Sequence, residues 1–261
     1  MSGLPFYSML HKHYEDLFPA TPAQVAFLAQ ELRRVGAKRV LDVGCGTGAH
    51  CRALSELGFD TVGIDIDEEM IAMAASKASE SDHGSASFLV AGLEDIPRLP
   101  SMGQQLGFDA VLCIGNTLAH LDSLEAIYTA LRQMKSALRL PTDDRPKTAM
   151  ILQVVNFERV LRLKSVQLPD IVLPHVAFFR TYSLLPSGKV EFLGRLEHRE
   201  AGSQPIFQSS TQLLTPVTAD ELIAALKSLG VDGFSVYGSF SRDSFDPLTS
   251  IQTVISANVS V

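Results

Sequence analysis

The segment Arg39–His50, RVLDVGCGTGAH, has residue types and a spacing that could hold a ligand. An apolar run is followed by three alternating glycines, Gly44, Gly46 and Gly48. They match the relaxed dinucleotide fingerprint, in which a strand turns into a helix and the backbone approaches the ligand closely. Glycine permits this approach because it lacks a side chain and adopts positive φ. The glycines alone fit a dinucleotide or another adenosine-containing ligand.

Two carboxylates flank this loop, and one of them, Asp42, decides between the ligands. Asp65 ends the second apolar run, where an acceptor can bind the ribose hydroxyls that both ligand classes carry. Asp42 stands two residues before Gly44, where a carboxylate would repel a pyrophosphate and attract an ammonium group. S-adenosylmethionine carries an ammonium, a sulfonium and an adenosine, so the sequence predicts a site for this methyl donor. A turn cap is the other interpretation of Asp42, and a nicotinamide-dependent oxidoreductase is the less favoured alternative for the chain.

The order of apolar and amphipathic segments predicts the fold. Thr21, Pro22 and Gln24 give the start signals of a helix, and Thr218 with Glu221 forms a second capping box. Short apolar runs alternate with helices, as in a parallel sheet covered on both faces. The predicted strands are RVLDVG, DTVGID, ASFLVA, FDAVLCIG and TAMILQVV, the predicted helices between them are 47–57, 68–77 and 121–138, and GFSVYG and IQTVISAN form a late antiparallel hairpin. We therefore expect an α/β, Rossmann-like, mostly parallel sheet with helices on both faces.

From about Leu173 to Leu214 the sequence follows a different pattern, in which strands and turns replace helices, and the inserted subdomain is assigned to residues 164–215. In KVEFLGRLEHR, Val190, Phe192 and Leu196 share one face and charged residues share the other. HVAFFRTYSLL would pair with this strand through the turn PSGK, and PIFQSSTQLL could add a third strand. We expect a single domain over residues 1–261 with this small antiparallel β insertion, which would cover a substrate or make a dimer contact.

Composition restricts the function further. The 261 residues are 46% hydrophobic and 20% charged, with a net charge of -7 and no basic patch, so a nucleic-acid partner is not expected. Cys45, Cys51 and Cys113 have neither metal-ligand nor redox spacing, so no metal site is expected and a reducing compartment is indicated. The start MSGLPFYSML lacks signal-peptide features, and no apolar run has membrane-spanning length. We expect a soluble cytoplasmic protein, either a monomer or a homodimer.

Three segments, VLDVGCGTG, VGIDIDEEMI and FDAVLCIGNTLAHL, together resemble class I S-adenosylmethionine-dependent methyltransferases. The third is similar to the glycine N-methyltransferase branch, where a Gly-Asn-(Ser/Thr)-x-x-His-Leu run follows the fourth strand. The resemblance implies S-adenosylmethionine as cofactor, with Asp65 on the ribose, Ile66 on the adenine and the Ile114 carbonyl on the ammonium. The predicted cofactor-binding residues are Tyr14, Asp42, Gly44, Cys45, Gly46, Asp65, Ile66, Gly92, Leu93 and Ile114.

Two of these positions need comment. Many family members have an acidic or amide side chain where this chain has Gly92, so only the backbone at Leu93 could meet the adenine edge here. The segment HKHYEDLFP lies where the family folds its N-terminal part over the cofactor, which implies a contact by Tyr14 and, less strongly, by His13.

The acceptor side is less specific. Methyl transfer depends mainly on in-line positioning and an available lone pair, so no catalytic residue is predicted. Candidate acceptor contacts are Asn116, His120, Arg180 and Tyr182. The alternative interpretation is a helix cap for Asn116, a structural histidine for His120, and a solvated sheet face for both Arg180 and Tyr182.

Two departures from the family restrict the acceptor. Val155 stands where glycine N-methyltransferases have an arginine for the substrate carboxylate, which disfavours glycine and sarcosine. The Asn/Asp-Pro-Pro-aromatic run of enzymes that methylate nucleobase or glutamine amino groups is also missing. We expect a small-molecule acceptor methylated on nitrogen, oxygen or carbon, and the alternative is a non-catalytic S-adenosylmethionine-binding protein.

Overall fold

Two β-sheets organise the structure, a computed structural model that describes residues 5–78, 83–99, 107–140, 147–199 and 204–260. The strands are β1 (Arg39–Val43), β2 (Asp60–Asp65), β3 (Ser85–Val90), β4 (Ala110–Cys113), β5 (Lys147–Val155), β6 (Ser165–Val172), β7 (Val176–Leu184), β8 (Val190–His198), β9 (Ile206–Leu214), β10 (Asp232–Tyr237) and β11 (Gln252–Ser260). The larger sheet has the order β10-β11-β5-β4-β1-β2-β3. Strands β1 to β5 are parallel, and β11 pairs antiparallel with both β5 and β10. The predicted parallel sheet and its antiparallel edge hairpin are confirmed.

Helices cover both faces of the larger sheet. They are α1 (Pro5–Ser8), α2 (Tyr14–Leu17), α3 (Pro22–Arg34), α4 (Ala49–Ser55), α5 (Glu68–Ser76), α6 (Leu124–Ala137), α7 (Phe157–Leu163) and α8 (Ala219–Ser228), with 3-10 helices at His11–His13, Leu93–Arg98 and Thr117–His120. Leu41 and Val111 point into the core that contains α6 and α8. Their neighbours Val40 and Leu112 point into the core under α3 and α4. Because consecutive strand residues face opposite ways, a sheet buried on both faces requires these continuous apolar runs.

Local signals in the sequence set most of the helix ends. Thr21 accepts a hydrogen bond from the Gln24 backbone at 3.3 Å and Thr218 accepts one from Glu221 at 3.2 Å, so both predicted capping boxes are present. The helix predicted at 121–138 begins later than expected, at Leu124, because the Ser123 side chain caps it. Residues 117–120 form a separate 3-10 turn.

The insertion forms a four-stranded antiparallel sheet in the order β6-β7-β8-β9. Val190, Phe192 and Leu196 are all buried, as the alternation predicts. They join Phe178 in the same core as the α6 side of the larger sheet, so the second sheet is packed onto the first. The sequence did not predict β6 or the preceding helix α7.

Residues 5–18, which we call the strap, cross between the two sheets. Phe6 packs against Phe192 with ring centroids 4.6 Å apart. Glu15 anchors the other side of the strap with ion pairs to Arg52 and Lys77, each at 2.6 Å. The strap therefore contacts both the insertion and the helices that follow the glycine loop. In the part of the chain that the structure describes, no helix has the length and apolarity needed to span a membrane.

Candidate functional site

A cavity of about 350 Å³ lies between the carboxyl ends of the parallel strands, the second sheet and the strap. This edge of an open α/β sheet is where ligands bind, because the strand-to-helix turns leave a crevice there. Asp42 and Gly44 line it from β1, and Ile114 and Asn116 line it from the end of β4. The cavity is enclosed by three parts of the molecule. The second sheet forms its roof, the larger sheet forms its floor, and the strap closes one side.

The glycine loop has the conformation that its sequence predicts. Gly44, Gly46 and Gly48 have φ of 75°, 53° and 70°. A side chain on Gly44 would place its Cβ 2.5 Å from Thr117 Oγ1, and one on Gly46 would lie 3.1 Å from the Tyr14 ring. The loop is thus a cradle that only glycine fits, with the predicted Tyr14 lying over it.

Asp42 is buried at this loop and only partly satisfied. Its Oδ2 accepts a hydrogen bond from Cys51 Sγ at 3.5 Å. Its Oδ1 is buried with no hydrogen-bond partner among the described residues. Burial raises the pKa of Asp42 to about 7. The hydrogen bond from Cys51 lowers this pKa, and the nearby Asp65 carboxylate raises it further. The turn-cap interpretation is wrong, because the Gly44 and Cys45 amides donate to the Ile64 carbonyl instead.

Asp65 ends β2 on the outer side of the same loop. Its Oδ2 accepts from the Gly46 amide at 2.9 Å and its Oδ1 from the Asp67 amide at 3.0 Å. Burial is the largest influence on the Asp65 carboxyl and raises its pKa. Next to it, the Ile66 side chain is 56% exposed, and neither Asp65 nor Ile66 belongs to the lining of the cavity. An acceptor and an exposed apolar surface therefore stand side by side, as a ribose and an adenine require.

The turn after β3 carries two acidic side chains beside Gly92. The Gly92 amide donates to Asp95 Oδ2 at 2.9 Å, and the Glu94 carboxylate lies where a side chain on Gly92 would be. Leu93 packs against the larger core with part of its side chain exposed. An acidic group therefore stands at this turn, supplied by Glu94 instead of by position 92.

The segment after β4 is shaped by Asn116, whose φ is 70°. Its side-chain oxygen accepts from the Val155 amide at 3.0 Å and makes no cap bond to the 3-10 helix, so the helix-cap interpretation is wrong. The Ile114 carbonyl accepts from Thr117 Oγ1 at 3.0 Å, which leaves it a second lone pair. Asn116 ties β4 to β5 beneath the cavity that it lines.

The roof is contributed by β6, β7 and β8. Tyr182 is buried and stacks on Phe192 with centroids 4.6 Å apart, so the solvated-face interpretation is wrong for it. Arg180 lines the cavity, and its Nη2 donates to the Pro169 carbonyl at 2.8 Å. Its Nε is buried without a hydrogen-bond partner in the described ranges. Burial lowers the pKa of Arg180, against the opposing effects of Tyr182 and Asp170.

Other residues differ from the sequence predictions. The structure does not bring His120 to the cavity wall; burial lowers its pKa to about 4, which fits the structural alternative. Gln153 was missed: it lines the cavity and accepts from the Gly115 amide at 2.7 Å. His50 was also missed, although it closes the glycine motif; it lines the cavity with a pKa lowered to about 4 by burial.

Comparisons with known proteins agree with this geometry. Residues 40–140 match the family model described as a methyltransferase domain. The chain is 35% identical over 113 residues to a glycine/sarcosine N-methyltransferase of Aphanothece halophytica, covering 43% of this chain and 41% of that protein. It is 32% identical over 153 residues to a ubiquinone biosynthesis O-methyltransferase of Xanthomonas axonopodis pv. citri, covering 57% and 61%. Its fold is similar to that of an S-adenosylmethionine-dependent methyltransferase of Clostridium acetobutylicum, with a TM-score of 0.73, 13% identity and coverage of 98% and 99%.

The match to a methyltransferase domain is confined to residues 40–140, and the likeness to the Clostridium enzyme shows that the whole chain shares its fold. The Clostridium enzyme is S-adenosylmethionine-dependent, and the glycine cradle and the unpartnered Asp42 oxygen of this chain fit such a cofactor. The chain spans about half the length of the curated relatives that it matches.

Proposed function

We propose that this protein transfers the methyl group of S-adenosylmethionine to a small-molecule acceptor bound in the cavity. The observation that carries the proposal is Asp42 Oδ1, a buried carboxylate oxygen without a partner among the described residues, beside a loop that only glycines can form. A buried carboxylate costs free energy unless a cation or hydrogen-bond donor meets it. The ammonium group of the cofactor supplies that donor, whereas a pyrophosphate would increase the cost.

The residues divide the binding work along the loop. Asp42 and the Ile114 carbonyl would hold the ammonium, Asp65 the ribose hydroxyls, and Ile66 one face of the adenine. When bound, the cofactor supplies an electrophilic methyl group on a sulfonium. Tyr14 and the roof exclude water from the space in which the acceptor must be aligned. Alignment of this kind contributes roughly 7–11 kcal/mol to barrier reduction without a general base.

We further propose that the acceptor carries an anionic group that binds Arg180. Among the residues that line the cavity, Asp42 and Arg180 are the ionisable pair of opposite sign, with Asp42 beside the glycine loop and Arg180 in the roof. Arg180 makes no ion pair with an acidic side chain in the described ranges, and its Nε has no partner there. Val155 lines the cavity instead of an arginine, so the roof cation would replace one on β5. Gln153 and Asn116 supply the polar groups of the floor.

The first experiment is calorimetry with S-adenosylhomocysteine and, in parallel, NADH. Micromolar binding of the first with none of the second is the expected result; binding of NADH alone would refute the proposal. Small acids and matched neutral amides are then screened as methyl acceptors. Turnover of an acid should need Arg180, so Arg180→Gln should raise its KM at least about tenfold, because a charge-assisted hydrogen bond is lost.

Arg195→Gln is the matched control for this variant, because Arg195 lies on the outer face of the same sheet, over the rings of Phe179 and Phe207. An unchanged KM for the acid in Arg180→Gln would refute the anionic acceptor and leave methyl transfer standing. Binding of S-adenosylhomocysteine with no turnover of any acceptor would favour the non-catalytic alternative.

We propose that the described residues belong to one domain with the insertion at 164–215, acting in the cytoplasm as a monomer or homodimer without nucleic acid. The three cysteines are free and buried, which fits a reducing compartment. The net charge of -7 disfavours a phosphate-backbone partner. Gel filtration would test the oligomeric state, and a binding assay at low salt would test whether the protein binds nucleic acid.

A further inference from the structure

Three histidines and one aspartate meet outside the cavity, where the strap packs against the second sheet. His13 and Asp16 belong to the strap, His175 precedes β7 and His198 ends β8. One possible ligand atom from each of His13, Asp16 and His175 lies within 4.8 Å of the other two. The His13 ring centroid is 5.5 Å from that of His175 and 5.3 Å from that of His198.

His13 is the least satisfied member of this cluster. It is buried, with 7% of its surface exposed, and its Nε2 has no hydrogen-bond partner among the described residues. Its Nδ1 is 3.9 Å from Asp16 Oδ2, and His175 Nε2 is 3.3 Å from the same oxygen. Burial lowers the pKa of His13, and the neighbouring His198, His175 and Lys12 lower it further. The Asp16 carboxylate has the opposite effect and raises it. Neutral imidazole is the form in which histidine binds metal ions.

We propose that His13, Asp16 and His175 bind a divalent transition-metal ion, of which Zn²⁺ is the first candidate, with solvent in the fourth position. Tetrahedral zinc with bonds of about 2.0–2.1 Å keeps its ligand atoms roughly 3.3–3.5 Å apart. The distance of 3.3 Å between His175 Nε2 and Asp16 Oδ2 already has this value. The distance of 3.9 Å between His13 Nδ1 and Asp16 Oδ2 is longer, and a small side-chain movement would bring it to this value.

The donor set determines the kind of metal. Imidazole nitrogens with one carboxylate suit zinc and its transition-metal neighbours, whereas Ca²⁺ and Mg²⁺ require oxygen ligands. His198 stands beside this group and is held by Gln208, whose Oε1 lies 3.0 Å from His198 Nε2. The side chains of Asp16 and His175 are 53% and 52% exposed, which gives the ion a path from solvent.

The ion would join the strap to the second sheet. The strap also places Tyr14 over the glycine loop and lines the cavity with Leu17 and Phe18. None of the four cluster residues lines the cavity itself. A bound ion would therefore stabilise the cavity wall without touching cofactor or acceptor.

The test is zinc titration of tag-free, chelator-treated protein, followed by calorimetry and by competition with a chromogenic zinc indicator. We expect one ion per chain with micromolar or tighter affinity, and a higher unfolding temperature with zinc. His175→Ala and Asp16→Asn change exposed side chains, so both variants should fold. Each should weaken zinc binding at least about tenfold, because ligand and near-ligand losses are of that size. Replacing zinc by Co²⁺ should give the visible absorption of a tetrahedral site.

His83→Ala is the matched control: His83 is exposed and precedes β3, at the edge of the sheet opposite the cavity. Zinc binding equal to wild type in both cluster variants would overturn the proposal, as would no detectable binding at submillimolar zinc. Retention in both variants with loss in His11→Ala would place the ion instead beside Asp67 and Glu69, which His11 contacts, and would also overturn it.

Discussion

Asp42→Asn separates the two effects of a buried carboxylate, its cost to the fold and its benefit to binding. The amide has almost the shape of the carboxylate and can still accept the hydrogen bond from Cys51 Sγ. The Asp42 carboxyl has a pKa of about 7 instead of 3.8, chiefly because it is buried. A carboxyl whose pKa rises on folding binds protons more tightly in the folded state. Its ionisation therefore destabilises the fold fully above the raised pKa and progressively less as the pH falls toward the unfolded value.

The magnitude follows from the two pKa values. A rise from 3.8 to about 7 corresponds to about 4 kcal/mol at pH 8. At pH 5 the folded carboxyl is protonated and the unfolded one is ionised, so the cost is only about 1.5 kcal/mol. We expect Asp42→Asn to raise the free energy of unfolding by up to about 4 kcal/mol at pH 8, and by about 2.5 kcal/mol less at pH 5.

Urea unfolding of the ligand-free protein at the two pH values measures this difference. Calorimetry with S-adenosylhomocysteine measures the benefit: wild type should bind about eightfold more weakly at pH 6 than at pH 7.5, because the ammonium needs the ionised carboxylate. Asp42→Asn should bind about 10–100-fold more weakly than wild type at pH 7.5 and lose this pH dependence. An equal stability change at both pH values, or a pH dependence retained by the variant, would refute the role of Asp42.

Three further substitutions test the surroundings of the site. Asp65→Asn keeps an acceptor for the Gly46 amide but removes the charge, so S-adenosylhomocysteine affinity should fall at least about tenfold by calorimetry; an unchanged Kd would contradict the ribose contact. Gly44→Ala forces a side chain against Thr117 at a φ of 75°. It should lower the free energy of unfolding in urea by about 1–3 kcal/mol and also weaken cofactor binding. An unchanged unfolding midpoint would show that the loop has another conformation. Asn156→Ala leaves three backbone carbonyls without their amide donor. It should lower the free energy of unfolding by about 2–3 kcal/mol with little change in S-adenosylhomocysteine binding. A loss of binding free energy larger than the loss of stability would mean that this residue acts at the site.

The sheet and the conformation of the glycine loop could be predicted because their signals are local. Gly44 and Gly46 lie in a strand-to-helix turn whose glycines have one physical explanation, the need for positive φ and close approach. Asp42 and Asp65 sit at strand ends, and parallel strands bring their carboxyl ends to one edge. Their placement beside the glycine loop could therefore be expected from the order of the elements alone.

Strand β6 was missed for an equally local reason. It contains Pro169, which donates no ladder hydrogen bond, and its register with β7 shifts between Leu168 and Ile171. The alternation of buried and exposed residues is lost at that point. Such a strand forms because the neighbouring strand supplies the pairing, which the sequence pattern does not contain.

The polar contacts of the site depend on distant parts of the chain. Asn116 accepts from the Val155 amide, and Gln153 accepts from the Gly115 amide. Each side chain alone is typical of a cap or a surface, and only the pairing of β4 with β5 brings the partners together. The same holds for His13 and His175, which the strap joins across most of the chain.

The strap also sets an order of assembly. Phe6 is synthesised well before the second sheet, yet it packs against Phe192 and occupies the space over Gly194. Closing so long a loop costs conformational entropy before any contact compensates for it, and non-local pairings of this kind slow folding. During synthesis the glycine loop and the first strands can pair while the cavity still lacks its wall. Strands β1 to β5 can therefore form a platform early, and the pocket becomes enclosed only after β6 to β9 have been made.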